Sequence, residues 1–216
     1  MTKVNETKCK ILEVALKLFG SKGFDGTSVR DIAKEADVNL ASVNYHFSNK
    51  QNLYFEVINS NCSAVEIELK KIYKEEMNLE EFSIAMFSFF VEQSHSLLNT
   101  FRLILNESID FSDIESVEAE SLGPPAGEIL LKLVTDEVGE NVPLDGRFWV
   151  VSTLISNITH MAIIMSSSVI KERCDHLKHL NIETQSRNIR LHCHSLVAFL
   201  KTQPDTSWDP NFKMDV

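Results

Sequence analysis

The chain has 216 residues, 44% of them hydrophobic, and carries 21 Lys and Arg against 31 Asp and Glu for a formal charge of −10. That length and apolar content allow a substantial core and exclude global disorder. Only 7 Gly and 5 Pro interrupt the chain, which excludes a fold of many short strands joined by frequent turns, so the expected class is all-α. The negative charge excludes a generally basic nucleic-acid coat, but it is unevenly placed: residues 1–51 hold 8 basic and 6 acidic side chains, the remainder 13 and 25. An acidic body of this kind leaves the N-terminal quarter as the one region suited to meet DNA.

In chain order, the first helix has Ile11, Ala15, Leu18 and Phe19 on one face and Glu13 and Lys17 outside, with a stop expected between Gly20 and Gly23. Phe24 then turns back into a small core. Ser28 precedes Val29-Arg30-Asp31-Ile32-Ala33 and is placed to cap that helix, Asp31 being a short-armed reciprocal partner three residues on. Asp37-Val38-Asn39 makes a tight turn, with Asn39 capping the next helix. In that helix, Leu40-Ala41-Ser42-Val43-Asn44-Tyr45-His46-Phe47, the i, i+4 pair Val43 and Phe47 points inward. The 100° step turns Ala41, Ser42, Asn44 and Tyr45 outward; Leu40, in the first turn, is open to either side. Small, hydroxyl, amide and aromatic groups stand here where a scaffold helix carries Glu, Lys and Leu. This is the composition of a helix that reads DNA.

Ser48-Asn49-Lys50 opens a long amphipathic helix running through Leu53 and Phe55 toward Tyr73, the expected link between two domains. Helical spacing continues in Phe82, Met86, Phe89, Phe90, Gln93 and Leu97, and again in Phe101, Ile104, Leu105 and Ser108. An acidic stretch from Asp110 to Leu122 follows. Gly123-Pro124-Pro125 then opens a helix through Ile129, Leu130, Leu133 and Val134, and Pro143 and Gly146 introduce another. From Phe148 to Ile170, 23 residues contain no Asp, Glu, Lys or Arg, long enough to span a bilayer. Ser152, Thr153, Ser156, Asn157, Thr159, His160 and Ser166 to Ser168 interrupt it, so it reads as a buried helix at a pocket or subunit contact and not as a membrane span. A last helix covers roughly Glu183 to Leu200, and the proline-broken tail reads as loose. Three regions result: a helix-turn-helix domain at 1–50, a helical effector and dimerisation domain at 51–203, and a tail at 204–216.

The segments Ile11 to Phe19, Lys22-Gly23-Phe24, Gly26 to Ala33, and Val43-Asn44-Tyr45-His46-Phe47 with Lys50 together resemble the tetracycline-repressor (TetR) family over residues 9 to about 55. The resemblance implies that Ser28, Arg30, Tyr45, His46 and Lys50 meet phosphates or groove edges while Leu40, Ala41, Ser42 and Asn44 face bases. It also implies a divergent helical domain that binds a ligand and pairs with a second copy through the last two long helices. Asp37 departs from the pattern, standing where this family commonly shows Gly. The residue chemistry agrees with the implied roles. Lys50 is a point charge for phosphate and Tyr45 and His46 donate to backbone oxygens. Asn44 suits a bidentate pair with adenine, and Ala41 or Leu40 suits a thymine methyl.

Two further constellations stand out. Cys174, His176 and His179 with His192, Cys193 and His194 gather soft and imidazole ligands, but no pair has i, i+4 or CxxC spacing, so no metal is expected. Met86, Phe89, Phe90, Gln93, Phe101, Trp149, Asn157, His160 and Met161 form a stripe that reads either as plain core or as the lining of a cavity for a small apolar effector. The four cysteines Cys9, Cys62, Cys174 and Cys193 lack CxxC pairing, and no apolar leader follows Met1, consistent with a reducing cytoplasm. No cofactor is called for, and no paired carboxylates, nucleophile elbow or phosphate-cradling glycine loop points to an enzyme. The expected function is a dimeric, ligand-responsive transcription regulator, most simply a repressor, binding a palindrome of double-stranded DNA. The alternatives are an effector-independent architectural or protein-recruiting factor and, behind it, an enzyme using the helical domain.

Overall fold

The computed structural model describes residues 3–93, 100, 103, 124–167 and 180–202. Among these the regular structure is helical: α1 Lys3–Lys22, α2 Val29–Glu35, α3 Leu40–Phe47, α4 Lys50–Ile72, α5 Leu79–Glu92, α6 Gly127–Val138, α7 Leu144–Ser166 and α8 Ile182–Thr202. The chain divides into two compact units, Met1–Ile67 with His95–Pro125, and Glu68–Ser94 with Ala126–Val216. The segments 104–123 and 203–216, which include the acidic stretch and the tail, lie outside the described residues.

The first unit is built on short-range signals. Ile11, Ala15 and Phe19, spaced four apart, are buried along one side of α1. The helix runs through Gly20 and stops at Lys22, because Gly23 adopts φ 75° and its N–H closes on the Phe19 carbonyl at 2.9 Å. Three residues on, Gly26 passes so near α1 that a Cβ there would stand 2.3 Å from the Lys22 carbonyl oxygen. Buried Thr27 lies within hydrogen-bond distance of the Leu18 and Gly23 carbonyls, at 3.2 and 2.8 Å, and ties this loop to the end of α1. Phe19, Phe24 and Tyr54 then form an aromatic nest with ring centroids 4.9 to 5.9 Å apart, two of the three pairs edge-to-face. Val43 and Phe47 from α3, Leu53 and Val57 from α4, and Leu103 complete this core.

In the second unit α5, α6, α7 and α8 pack against one another. Asn78 and Glu81 cap α5 reciprocally. Helix α7, charged only at Asp145 and Arg147 in its first turn, is long and apolar enough to cross a membrane, but one stripe of it, including Val150, Leu154, Ile158 and Ala162, is buried against the neighbouring helices. Its hydroxyls bond back to their own helix: Thr153 to the Trp149 carbonyl, Thr159 to Ile155, Ser166 to Ala162, at 2.6 to 2.8 Å. These back-bonds satisfy hydroxyls such as that of buried Thr159 within the helix, while Ser152, Ser156 and His160 are exposed to solvent. The α5–α8 contact is closed by Glu80, which takes Arg190 Nε at 3.2 Å and His194 Nε2 at 2.6 Å on its two oxygens.

Candidate nucleic-acid interface

Helix α3 is eight residues long, about 12 Å at 1.5 Å per residue, close to the width of a B-DNA major groove. Its N-terminus is fixed by Asn39, whose Oδ1 accepts from the Ser42 N–H at 2.7 Å and the Ser42 hydroxyl at 2.9 Å. Its C-terminus ends within one residue. Ser48 sits at φ 57°, ψ −52°, and the Asn49 N–H reaches the Phe47 carbonyl at 2.5 Å, a tight γ-turn. Asn49 then caps α4 by accepting from the Asn52 N–H at 2.8 Å.

Inward, Val43 and Phe47 are buried; outward, Ala41, Asn44 and Tyr45 are exposed, Tyr45 by 80%. Leu40 is 37% exposed, which resolves its orientation toward solvent. His46 is half-buried, its ring edge-on to Tyr45 and tilted against Phe47. Arg30 is exposed on α2. Lys50 is half-buried with its ammonium 4.0 Å from the centre of the Phe24 ring, so a cation–π contact holds the charge at the start of α4.

Two of the sequence-derived contact residues are already engaged. Ser28 accepts from the Asp31 N–H at 3.1 Å and donates its hydroxyl proton to Asp31 Oδ2 at 2.6 Å, completing the capping box of α2. That hydroxyl bond, helped by the Ser28 backbone N–H, holds the Asp31 carboxyl below its ordinary pKa. Ser42 likewise spends its proton on Asn39. As donors toward DNA, these serines are weaker candidates than Asn44, Tyr45, Arg30 and Lys50.

Sequence reasoning missed the second set of cations. Lys8 pairs with Glu56 at 2.9 Å and lies 5.7 Å over the Phe47 ring, while Lys10 stands 4.0 Å from Asp37. Asp37 itself takes φ 51°, the left-handed conformation that explains why glycine suits this position.

The remaining sequence-derived residues are more dispersed. Met86 and Phe90 are buried in the second unit, Phe89, Asn157 and Met161 are half-buried, and Gln93, His160 and Trp149 are exposed. Phe101 lies outside the described residues, as do Cys174, His176 and His179. Asn157 and His160, about 60° apart around the helix, sit at the edge of the buried stripe, Asn157 half-buried and His160 exposed. Among the described residues no group of three metal-capable side chains converges. His194 is held by Glu80, and Cys193 is buried beside Ser83, its thiol pushed up to about 11 by burial.

Residues 11–57 match the family of bacterial regulatory proteins called the tetR family. The segment is similar to the probable HTH-type transcriptional regulator YttP of Bacillus subtilis, 60% identical over 47 residues, covering 22% of this chain and 23% of that protein. It is also similar to the negative regulator IcaR of the icaADBC biofilm operon in Staphylococcus epidermidis, 42% identical over 55 residues, 26% of this chain and 29% of that protein. The matched segment thus spans about a quarter of these curated relatives. Over most of its length the chain shares the fold of a TetR variant from Acinetobacter baumannii, solved in complex with minocycline. The TM-score is 0.51 at 14% identity, covering 88% of this chain and 94% of that one.

Proposed function

We propose, for a chain that carries the tetR-family DNA-binding module at residues 11–57 and the all-helical fold of that family's regulators, that it is a sequence-specific, effector-responsive transcriptional repressor. The observation that carries this reading is α3: an eight-residue helix capped at both ends, anchored by Val43 and Phe47, presenting Ala41, Asn44 and Tyr45 to solvent. Asn44 reads a base edge, Ala41 and Leu40 meet a thymine methyl, and Arg30, Tyr45, His46 and Lys50 set the register on phosphates.

Two copies act together. The solvent-facing side of α7 and α8 carries Leu144, Phe148, Trp149, Leu191 and Phe199, each 38 to 55% exposed, which supports a dimer through these helices. The pair then reads two successive major grooves of a palindrome. The effector is a small apolar molecule taken up between α5 and α7 near Met86, Phe89, Phe90, Asn157 and Met161; the minocycline complex of the A. baumannii protein supports this class of response. It releases DNA by preferring a dimer whose reader spacing is wrong for the palindrome. Such a protein works in the cytoplasm.

The test is enrichment of targets from a random duplex pool at near-physiological salt, followed by two substitutions. Asn44→Ala relaxes base preference at one position in each half-site, whereas Lys50→Ala weakens binding to all sequences and lowers the salt slope by about 1. An unenriched pool, or equal effects of both substitutions on every sequence, overturns the assignment.

A further inference from the structure

The turn that leads into α3 carries a charge that its own geometry does not call for. Asp37 stands just past the end of α2, where its N–H reaches the Lys34 carbonyl at 3.2 Å and the Val38 N–H reaches the Ala33 carbonyl at 3.0 Å. That pair of bonds is a Schellman closure, whose bridging residue is left-handed and is by preference glycine, with asparagine next. Asp37 fills the position at φ 51°. Among the described residues its carboxylate has one partner, Lys10 Nζ on α1 at 4.0 Å, with the Asp37 side chain 97% exposed and that of Lys10 52%. A pair this long and this open to water contributes almost nothing to folding. Neither the backbone nor the ion pair therefore accounts for an acidic side chain here.

We propose that Asp37 is an affinity-limiting residue for DNA: its carboxylate repels the phosphates that border the groove and draws Lys10 away from them, so that every sequence is bound less tightly while base preference is untouched. The inference rests on the DNA-reading function given above. In a helix-turn-helix module the N-terminal residues of the second helix are the ones that meet base edges. Asp37 precedes Asn39, the N-cap of α3, by two residues, which the chain can stretch to ~7 Å at most. The turn thus lies within about one Debye length, about 8 Å at physiological salt, of the end of α3 that enters the groove. Lys10 is brought to the same place from α1 by its contact with Asp37. The two charges cancel there, where Lys10 alone would add a phosphate contact. A complex weakened evenly in this way is one that a modest preference of the effector is enough to dissociate.

Asp37→Asn in the full chain removes the charge and keeps a residue that tolerates the left-handed conformation. Asp37→Gly removes it with the residue this closure prefers, and keeps the test decisive if the first variant fails to fold. A unit charge about 8 Å from a phosphate in water changes binding by about twofold. Either variant is therefore expected to bind a palindrome, read by two copies, about fourfold more tightly at near-physiological salt, with the ranking of sequences from the enriched pool unchanged. The gain is expected to shrink as salt rises. Lys10→Gln separates the two arms: it changes affinity little beside Asp37 and removes part of the gain in the Asp37→Asn background, because only there is the ammonium released to phosphate. Glu76→Gln makes the same change of charge at an exposed position of the second unit and is expected to leave operator affinity where it was. Unchanged affinity in both Asp37 variants, an equal gain from Glu76→Gln, or equal effects of Lys10→Gln in the two backgrounds overturns the proposal while leaving DNA reading intact. A pool from which the wild-type protein enriches nothing overturns DNA reading and this inference with it.

Discussion

The exposed side chains of the two units differ in kind. In the first, the solvent-facing positions of α2 and α3 include Arg30, Lys34, Ala41, Asn44 and Tyr45, with Leu40 as the one exposed large aliphatic group, over a small aromatic core. In the second, a larger core is covered by helices whose outer sides still hold Phe148, Trp149, Leu191 and Phe199. The two faces suit partners of opposite chemistry. Donors and amides on a rigid helix gain most from groove edges and phosphates, while large apolar groups gain most from another protein surface that excludes water. The contrast teaches that a unit's partner is better read from what it fails to bury than from what it buries.

The comparison is broken most severely by charging the apolar face. Phe148→Arg is expected to leave a folded monomer by sedimentation, with palindrome affinity lower by about 100-fold or more because the second half-site contact is no longer intramolecular. Tyr45→Arg, in the first unit, is expected to leave the proposed dimer intact by the same sedimentation measurement. Next in size, Phe19→Ala removes a 1%-exposed ring from the aromatic nest and costs about 3–5 kcal/mol. Calorimetry is expected to show the first unit melting earlier while the transition of the second keeps its temperature; a single transition shifted as a whole would mean the units unfold as one.

Gly26→Ala comes third. The added methyl meets a backbone oxygen, which cannot yield as a flexible side chain does, so a loss of about 1–3 kcal/mol confined to the first unit is expected in urea titration. Smallest is Ser28→Ala, at about 1 kcal/mol for the lost cap. It also changes the acid limb. Because the folded-state pKa of Asp31 lies below its ordinary value, the stability it contributes is present above that ordinary value of 3.8 and is lost as pH falls through the lowered one. Removing the Ser28 hydroxyl removes the main cause of that shift, so the variant's stability is expected to fall off less steeply at acid pH than the wild type's.

Local signals carried the N-terminal unit a long way. Ser28 with Asp31, Asn39 with Ser42, and the inward pair Val43 and Phe47 all stand as their spacing implies, because caps and i, i+4 pairs are settled within a few residues. The same locality concealed a conflict. Ser28 donates its hydroxyl proton to Asp31 and Ser42 donates its own to Asn39, so both serines, read from the sequence as DNA contacts, have that proton engaged at the start of their own helices. In the second unit the stripe of aromatic and methionine residues was legible as helical but not as facing one way: Met86 and Phe90 turn inward while Gln93, Trp149 and His160 turn out. Which side of a helix is buried depends on its neighbours' placement, and in α7 exposed Phe148 and Trp149 share the outer side with Ser152, Ser156 and His160, so hydropathy alone does not mark it.

The sequence by itself determined the helical class, the Asn39 cap that begins α3, and the charge division between a slightly basic start and an acidic body. These follow from composition and from interactions spanning a turn or two of backbone. Only the tertiary structure decided that Lys50 rests on Phe24, that Lys8 is spent on Glu56 and Phe47, and that Leu103 closes a core begun at Ile11. Those contacts join residues far apart in the chain, and long-range pairing is selected by packing and by the need to satisfy buried polar groups, neither of which leaves a periodic mark on the sequence.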